Sequence, residues 1–392
     1  MKAKFMVLVI IILMVLTGCA SKVEEVEIKT AEDWKDQHSD IFASYMSNSE
    51  MVETTFGGSV PIDYLEKYPE LKVFYDGYGF SIEYLRARGH VYALEDVIHT
   101  KRPKAAASCF ACKSPDYLKL VTEEGDKVHS MTFEEVTPSM INTISCYDCH
   151  ENTPGVINVS RGHFTEGLTH LDKEYKPNDM VCGQCHVEYY QDPETREVTL
   201  PWHNGLGTDG MIQYFDSIEY SDWVHPKTNS HLLKVQHPEF ETFNGSLHSG
   251  FNLSCTDCHM PQVQGNSGET IKSHHWTSPL KTVEQSCLGC HQSDTTSSLI
   301  ARVEGVQGQV EARMMEASLV LQELISELVK ETNSQTVSDQ ALEEARYKHR
   351  VAQFKWDFVF VENSEGFHNK ALALKELDDV IRIANEGLDL IR

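Results

Sequence analysis

Positive charge is scarce in this chain of 392 residues: Lys and Arg number 34 against 59 Asp and Glu, a net charge of −25. A polyanion of that size repels phosphate backbones, so nucleic-acid binding is not expected, a local basic patch apart. Beyond the N-terminus no run reaches roughly eighteen consecutive apolar residues, which removes a later membrane-spanning helix. No repeat exists besides short cysteine motifs. Disorder is excluded as well, because 41% of residues are hydrophobic and only 24% charged, enough apolar material for a core. The length allows two or three domains or one large one.

The N-terminus is apolar. Lys2 and Lys4 precede an unbroken apolar run from Phe5 to Leu16, and Leu16-Thr17-Gly18-Cys19 follows. This run is too short to span a bilayer and reads as the core of a signal peptide, residues 1–19. Small residues before a Cys resemble a bacterial lipoprotein signal, in which Cys19 becomes the lipidated N-terminus. The alternative is an ordinary secreted protein with an incidental Cys19. The mature chain is expected outside the cytoplasm, lipid-anchored at the outer face of the cytoplasmic membrane or in the periplasm.

Cysteine is plentiful and arranged. Apart from Cys19, every one of the 11 cysteines falls in a Cys-x-x-Cys pair: Cys109/Cys112, Cys146/Cys149, Cys182/Cys185, Cys255/Cys258 and Cys287/Cys290. His follows four of them at once, as His150, His186, His259 and His291, and Lys113 follows the first. Cys-x-x-Cys-His is the attachment signature of c-type haem. Cysteines three apart share one face of a helical turn and can both bond the two vinyl groups of one porphyrin. The next residue then reaches the iron as axial ligand. Disulfides or zinc sites could also use paired cysteines, but neither explains the recurring His. A decayed motif without haem is the competing reading for the Lys113 site.

Fifteen further histidines remain among the 19. A haem with His on both sides carries electrons and has no open position. A haem held by Lys113 with nothing opposite is open to substrate. Lys must lose its proton to ligate, which burial and the metal both favour. One open site fed by four relays is therefore expected.

The fold class expected is mainly α, a multihaem cytochrome c with a loop-rich, haem-packed core and long C-terminal helices. Residues 20–295 form the haem-binding catalytic region, with aromatic-rich runs such as Phe74-Tyr75-Asp76-Gly77-Tyr78-Gly79-Phe80 reading as loops and short elements. Residues 296–392 form a helical region integrated with it as one domain. Leu319, Leu321, Leu324, Ile325 and Leu328 mark an amphipathic helix. Residues 333–338 interrupt it, and Ser338 or Asp339 can cap a second helix over about 339–363. Gly366 breaks that helix before a third over about 367–391.

Five haem motifs with Lys in the first resemble the pentahaem cytochrome c nitrite reductases that form ammonia. Cys109-Phe110-Ala111-Cys112-Lys113-Ser114-Pro115-Asp116 is similar to that family's active-site motif. So are Cys182-Gly183-Gln184-Cys185-His186-Val187-Glu188-Tyr189-Tyr190, Lys234-Val235-Gln236-His237-Pro238-Glu239 and Cys255-Thr256-Asp257-Cys258-His259-Met260-Pro261. The likeness runs from about Arg88 to His368, and the C-terminal part is short for the family. It implies five covalent haems c and a catalytic pocket of Arg102, Tyr189 and His237, with a contracted gap between Arg102 and Cys109. It implies distal ligands His274, His90, His368 and His248 for the second to fifth haems, with His275 as the alternative to His274. It implies one calcium ion held by Glu188 and Gln236 side chains and by backbone carbonyls of Tyr189 and Lys234, a ligand set that suits a hard cation.

By that resemblance nitrite is the substrate, Arg102 and His237 offer positive charge and donors to its oxygens, and His237 and Tyr189 move protons. A membrane-anchored multihaem quinol dehydrogenase is the implied donor, and a homodimer through the C-terminal helices the implied assembly. Two other classes compete: a multihaem reductase of hydroxylamine or sulfite, and a non-enzymatic conduit with every haem six-coordinate.

Overall fold

The computed structural model describes residues 27–52, 60–103 and 106–392. The signal run and Cys19 lie outside the described residues. Helices dominate, and strands occur only as short antiparallel pairs: β1 (Tyr190–Gln191) with β2 (Val198–Thr199), β3 (Trp223–Val224) with β4 (His231–Leu232), and β5 (Gln262–Gln264) with β6 (Thr270–Lys272). Among the described residues no helix is long and apolar enough to cross a membrane.

The C-terminal part is three long helices, α1 (Thr296–Ser334), α2 (Asp339–Phe360) and α3 (Lys370–Ile391). The Thr295 hydroxyl accepts from Ser298 N–H at the start of α1, and Gln335 stops it in the left-handed region at φ 52. The Ser338 hydroxyl accepts from Ala341 N–H and starts α2, satisfying a donor that the first turn leaves free. Leu321, Leu324, Ile325 and Leu328 are buried, but Leu319 is 65% exposed. At about 100° per residue, Leu319 lies most of the way round the helix from the 321/325/328 stripe. The gap between α2 and α3 is longer than the sequence pattern indicates. Residues 361–369 leave the helix because Glu365 and Gly366 take positive φ and His368 turns back onto the Glu362 carboxylate.

These helices share one apolar cluster with Leu65, Leu71, Phe74, Tyr75, Trp223 and Leu232, so the early aromatic run is seated on them. A second cluster joins Phe164, Trp202, Phe215 and Phe240 to Phe354 and Phe358 of α2. A third surrounds the first cysteine pair with Phe110, Tyr117, Val128 and Phe133. Between them lies a cavity of 2420 Å³.

Candidate active site

Each cysteine pair folds as a single turn. The amide of His150 donates to Cys146 O, that of His186 to Cys182 O and that of His291 to Cys287 O, each at 3.0 Å, while Lys113 N donates to Phe110 O at 2.9 Å. Cys255–His259 is a short helix started by Ser254, whose N–H and hydroxyl both donate to the Asp257 carboxylate at 2.7 Å. Such a turn puts both sulfurs on one face and the next side chain beside them. All ten thiols are free and line the one cavity, together with Lys113, His150, His186, His259 and His291. A pocket for one small ligand spans roughly 300–1,000 Å³. This cavity is far larger and bears five copies of one attachment group, so the residues present fit several covalently held haems.

Ring hydrogen bonds leave some of the histidines with a free nitrogen and others with none. His150 Nδ1 faces Val156 O at 2.8 Å, His259 Nδ1 faces Thr277 O at 3.1 Å, His274 Nδ1 faces Lys272 O at 3.0 Å and His368 Nδ1 faces Glu362 Oε1 at 2.6 Å. Anchoring one nitrogen fixes the tautomer and leaves the other free for a metal. By contrast His349 spends both ring nitrogens on Ser230 and Gln353, and His225 gives Nε2 to Val73 O. His90 Nδ1 is buried without a partner.

The rings also pair. Their centroids lie 6.4 Å apart for His150 and His274, 5.9 Å for His186 and His90, and 6.2 Å for His259 and His368. Two metal–imidazole bonds of about 2 Å each, plus half a ring at either end, give a span of about 6 Å. His248 lies near His291 and His368. His275 makes no ring contact with His150 and instead sits near Lys281 and Glu50. His186 has a second ring neighbour, His237, at 6.4 Å. Burial pushes His90 down to about 3 and His259 to about 4, so both are neutral, the ligating form. Burial also works against charge on His186, but the Glu239 carboxylate 3.4 Å from its Nδ1 outweighs it and lifts the ring to about 9.

Arg102, Tyr189 and His237 line the cavity with Cys109, Cys112 and Lys113. The Arg102 guanidinium lies 4.2 Å over the Phe80 ring, and its Nε donates to Thr100 Oγ1 at 3.2 Å. Gly79 makes this approach feasible, since a Cβ there would sit 3.2 Å from Pro103 Cδ and 3.5 Å from Arg102 Cβ. Burial pushes His237 down to about 3, which favours its neutral form. Burial raises the Tyr189 phenol, which is therefore a proton donor and not an anion. Sequence reasoning missed Tyr78, which lies on the same wall, stacked on Trp223 at 4.7 Å. The Tyr-Gly-Phe run was its signal, read only as loop.

Beside this wall Glu188 is buried at 1% exposure, and its Oε2 accepts from Gln236 N at 2.6 Å. The Gln236 amide Nε2 donates to Lys234 O at 3.2 Å, and a half-turn of that amide presents its oxygen instead. Two carboxyls that sequence reasoning missed join them. Asp222 accepts from Lys234 N at 2.8 Å, and Glu241 Oε1 accepts from Glu188 N at 2.9 Å. Burial drives all three carboxyls upward, Asp222 to about 6 and Glu241 to about 8. The nearby Lys234 ammonium is turned away, to Asp357 at 2.9 Å. Among the described residues no three His, Cys, Asp or Glu side chains converge as a cage, so a cation here depends on backbone and amide oxygens too. This surplus of buried oxygen atoms fits a hard cation, which would favour the ionised carboxylates.

Residues 30–392 match the cytochrome c552 family. The chain belongs to that family. It is 33% identical over 400 residues to cytochrome c nitrite reductase subunit NrfA of Nitratidesulfovibrio vulgaris, covering 89% of this chain and 76% of the relative. It is similar in structure to the cytochrome c nitrite reductase of Desulfovibrio desulfuricans, at a TM-score of 0.85 and 30% identity. That likeness covers 95% of this chain and 87% of the other, a catalytic subunit described as having two calcium sites. As a cytochrome c552 family member, the chain carries c-type haem bonded covalently through its cysteine pairs.

Proposed function

We infer that this protein is an ammonia-forming nitrite reductase, and that Lys113, Arg102, Tyr189 and His237 form its reaction site. The observation that carries this reading is the exception among equals. Five attachment turns line one cavity, four followed by His and one by Lys113, and the three polar side chains share the cavity wall with that one. Nitrite, six electrons and eight protons give ammonium and two waters.

The Lys113-ligated haem supplies an open iron for the nitrite nitrogen and the route by which electrons arrive. Lys113 must be deprotonated to ligate. Arg102, stacked on Phe80, attracts the anion and donates to its oxygens, and its fixed position costs no reorganisation during reaction. Neutral His237 donates an N–H, and protonated Tyr189 an O–H, to oxygens that gain negative charge as the N–O bonds weaken. His237 keeps its proton throughout, whereas Tyr189 takes one up again from water.

His150 with His274, His186 with His90, His259 with His368 and His291 with His248 would hold the four relay haems. Glu188, Gln236 and the Tyr189 and Lys234 carbonyls would hold a calcium ion, which would offset the buried carboxyls and fix the loop that carries His237. Haem-binding region 20–295 and helical region 296–392 act as one domain, paired with a second copy through the long helices. Lipid on Cys19 tethers the protein at the outer face of the cytoplasmic membrane, where a membrane-anchored multihaem quinol dehydrogenase delivers electrons.

The test uses the purified holoprotein, reduced viologen and nitrite. The expected result is one ammonium per nitrite with six viologen cations oxidised. A protein with five haems that leaves nitrite untouched, and shows only low-spin iron, would be a conduit instead.

A further inference from the structure

In the first three motifs, the residue just before the second cysteine is Ala111, Asp148 and Gln184. All three are buried, at 4%, 3% and 1% exposure, and all meet at one residue, Arg161, which is 0% exposed: Ala111 and Asp148 at its guanidinium, Gln184 at its backbone N–H. Arg161 Nε donates to Ala111 O at 3.1 Å, and a terminal nitrogen donates to Asp148 Oδ1 at 2.5 Å. Its backbone N–H donates to Gln184 Oε1 at 3.3 Å, and its other terminal nitrogen to Ser160 Oγ at 3.1 Å. Gln184 closes the ring, its Nε2 donating to Asp148 O at 2.9 Å. The last two motifs have no part in this. Asp257 caps its own turn through Ser254, and Gly289 has no side chain.

We propose that Arg161 is a positioning residue that locks the first three haem sites into one rigid body, and so sets electron entry to the Lys113 site. The proposal rests on the reading that these motifs hold haem. A guanidinium suits this task because its planar fork serves several acceptors at fixed angles, and it stays charged when buried. Lysine keeps the charge but cannot span Ala111 O and Asp148 together. Without the fork, Asp148 is left with fewer donors and the first turn loses its tie to the second, so that the third, joined to the second through Gln184 and Asp148 O, is reached only through that shift. Electron tunnelling falls steeply with separation, and haem potentials follow local hydrogen bonding and burial. Small shifts among these turns therefore register in both.

The experiment compares wild-type and Arg161→Lys holoprotein, with covalent haems counted by mass. Electron paramagnetic resonance during a redox titration and stopped-flow reduction by dithionite give the readouts. The expected result is five haems in both, altered signals from the first three sites, unchanged signals from the last two, and reduction of the Lys113 site slowed roughly tenfold. A fully loaded Arg161→Lys protein with wild-type signals and reduction rate overturns the proposal. Should that variant fail to assemble, Asp148→Asn, which keeps the shape and drops the charge, decides by the same signals: a shift confined to the first three sites supports it, and no shift overturns it. Fewer than five haems in the wild type would sink the haem reading itself.

Discussion

At the scale of single residues, position and protonation decide what a side chain does. Histidine is abundant here, and a ring with both nitrogens spent on protein partners, as in His349, is left with none for a metal. His237 is buried and favoured in its neutral form, so what it offers is a fixed N–H hydrogen-bond donor. We expect His237→Ala to lower nitrite turnover by roughly a hundredfold or more in the viologen assay while all five haems remain. His349 gives a pH prediction away from the reaction site. Burial depresses it from 6.5 to about 3, so the unfolded chain takes up a proton that the folded one refuses. Its stabilisation is complete above pH 6.5 and is lost as pH falls toward 3, at about 1 kcal/mol per pH unit. His349→Gln should flatten the acid side of the Tm–pH curve relative to wild type. An equally steep curve would assign the loss to other groups.

At the scale of elements, the three long helices were legible because their stripes and caps agree. The Thr295 and Ser338 caps and the 321/324/325/328 stripe each point to the same helices. The link between α2 and α3 was less legible, since its shape answers to the seat of His368 on Glu362. Gly366 is its hinge, with φ 86 and a Cβ that would fall 2.6 Å from Val310 Cγ2. Gly366→Ala should cost about 2 kcal/mol, read as a lower denaturation midpoint at unchanged slope. On the far side of α1, Met315 and Leu319 form an exposed apolar pair at 43% and 65%. If the long helices pair two copies, Leu319→Glu should shift sedimentation from dimer toward monomer with the fold retained. An unmoved sedimentation coefficient would place the contact elsewhere.

At the scale of the whole molecule, the cavity is the dominant fact. Three apolar clusters surround 2420 Å³ that side chains do not fill. Interiors are otherwise close-packed, so a chain left with that void loses much of its contact energy. Expression without covalent haem attachment should therefore give protein with no cooperative thermal transition, followed by circular dichroism. A sharp transition in haem-free protein would mean that the clusters suffice by themselves. Stripping divalent cations should likewise lower Tm, because Glu188, Asp222 and Glu241 would be left as buried carboxyls with one fewer cation between them. Restoring calcium should recover it.

Local chemistry was determined by the sequence alone: five attachment turns, one with Lys113, and helices set by period and caps. Those features act over a few residues, so spacing carries them. Tertiary structure alone decided which His faces which, that His274 and not His275 meets His150, that His237 is buried, and where Asp222, Tyr78 and Arg161 sit. These depend on burial and on contacts between residues far apart in the chain, where no local pattern holds the information.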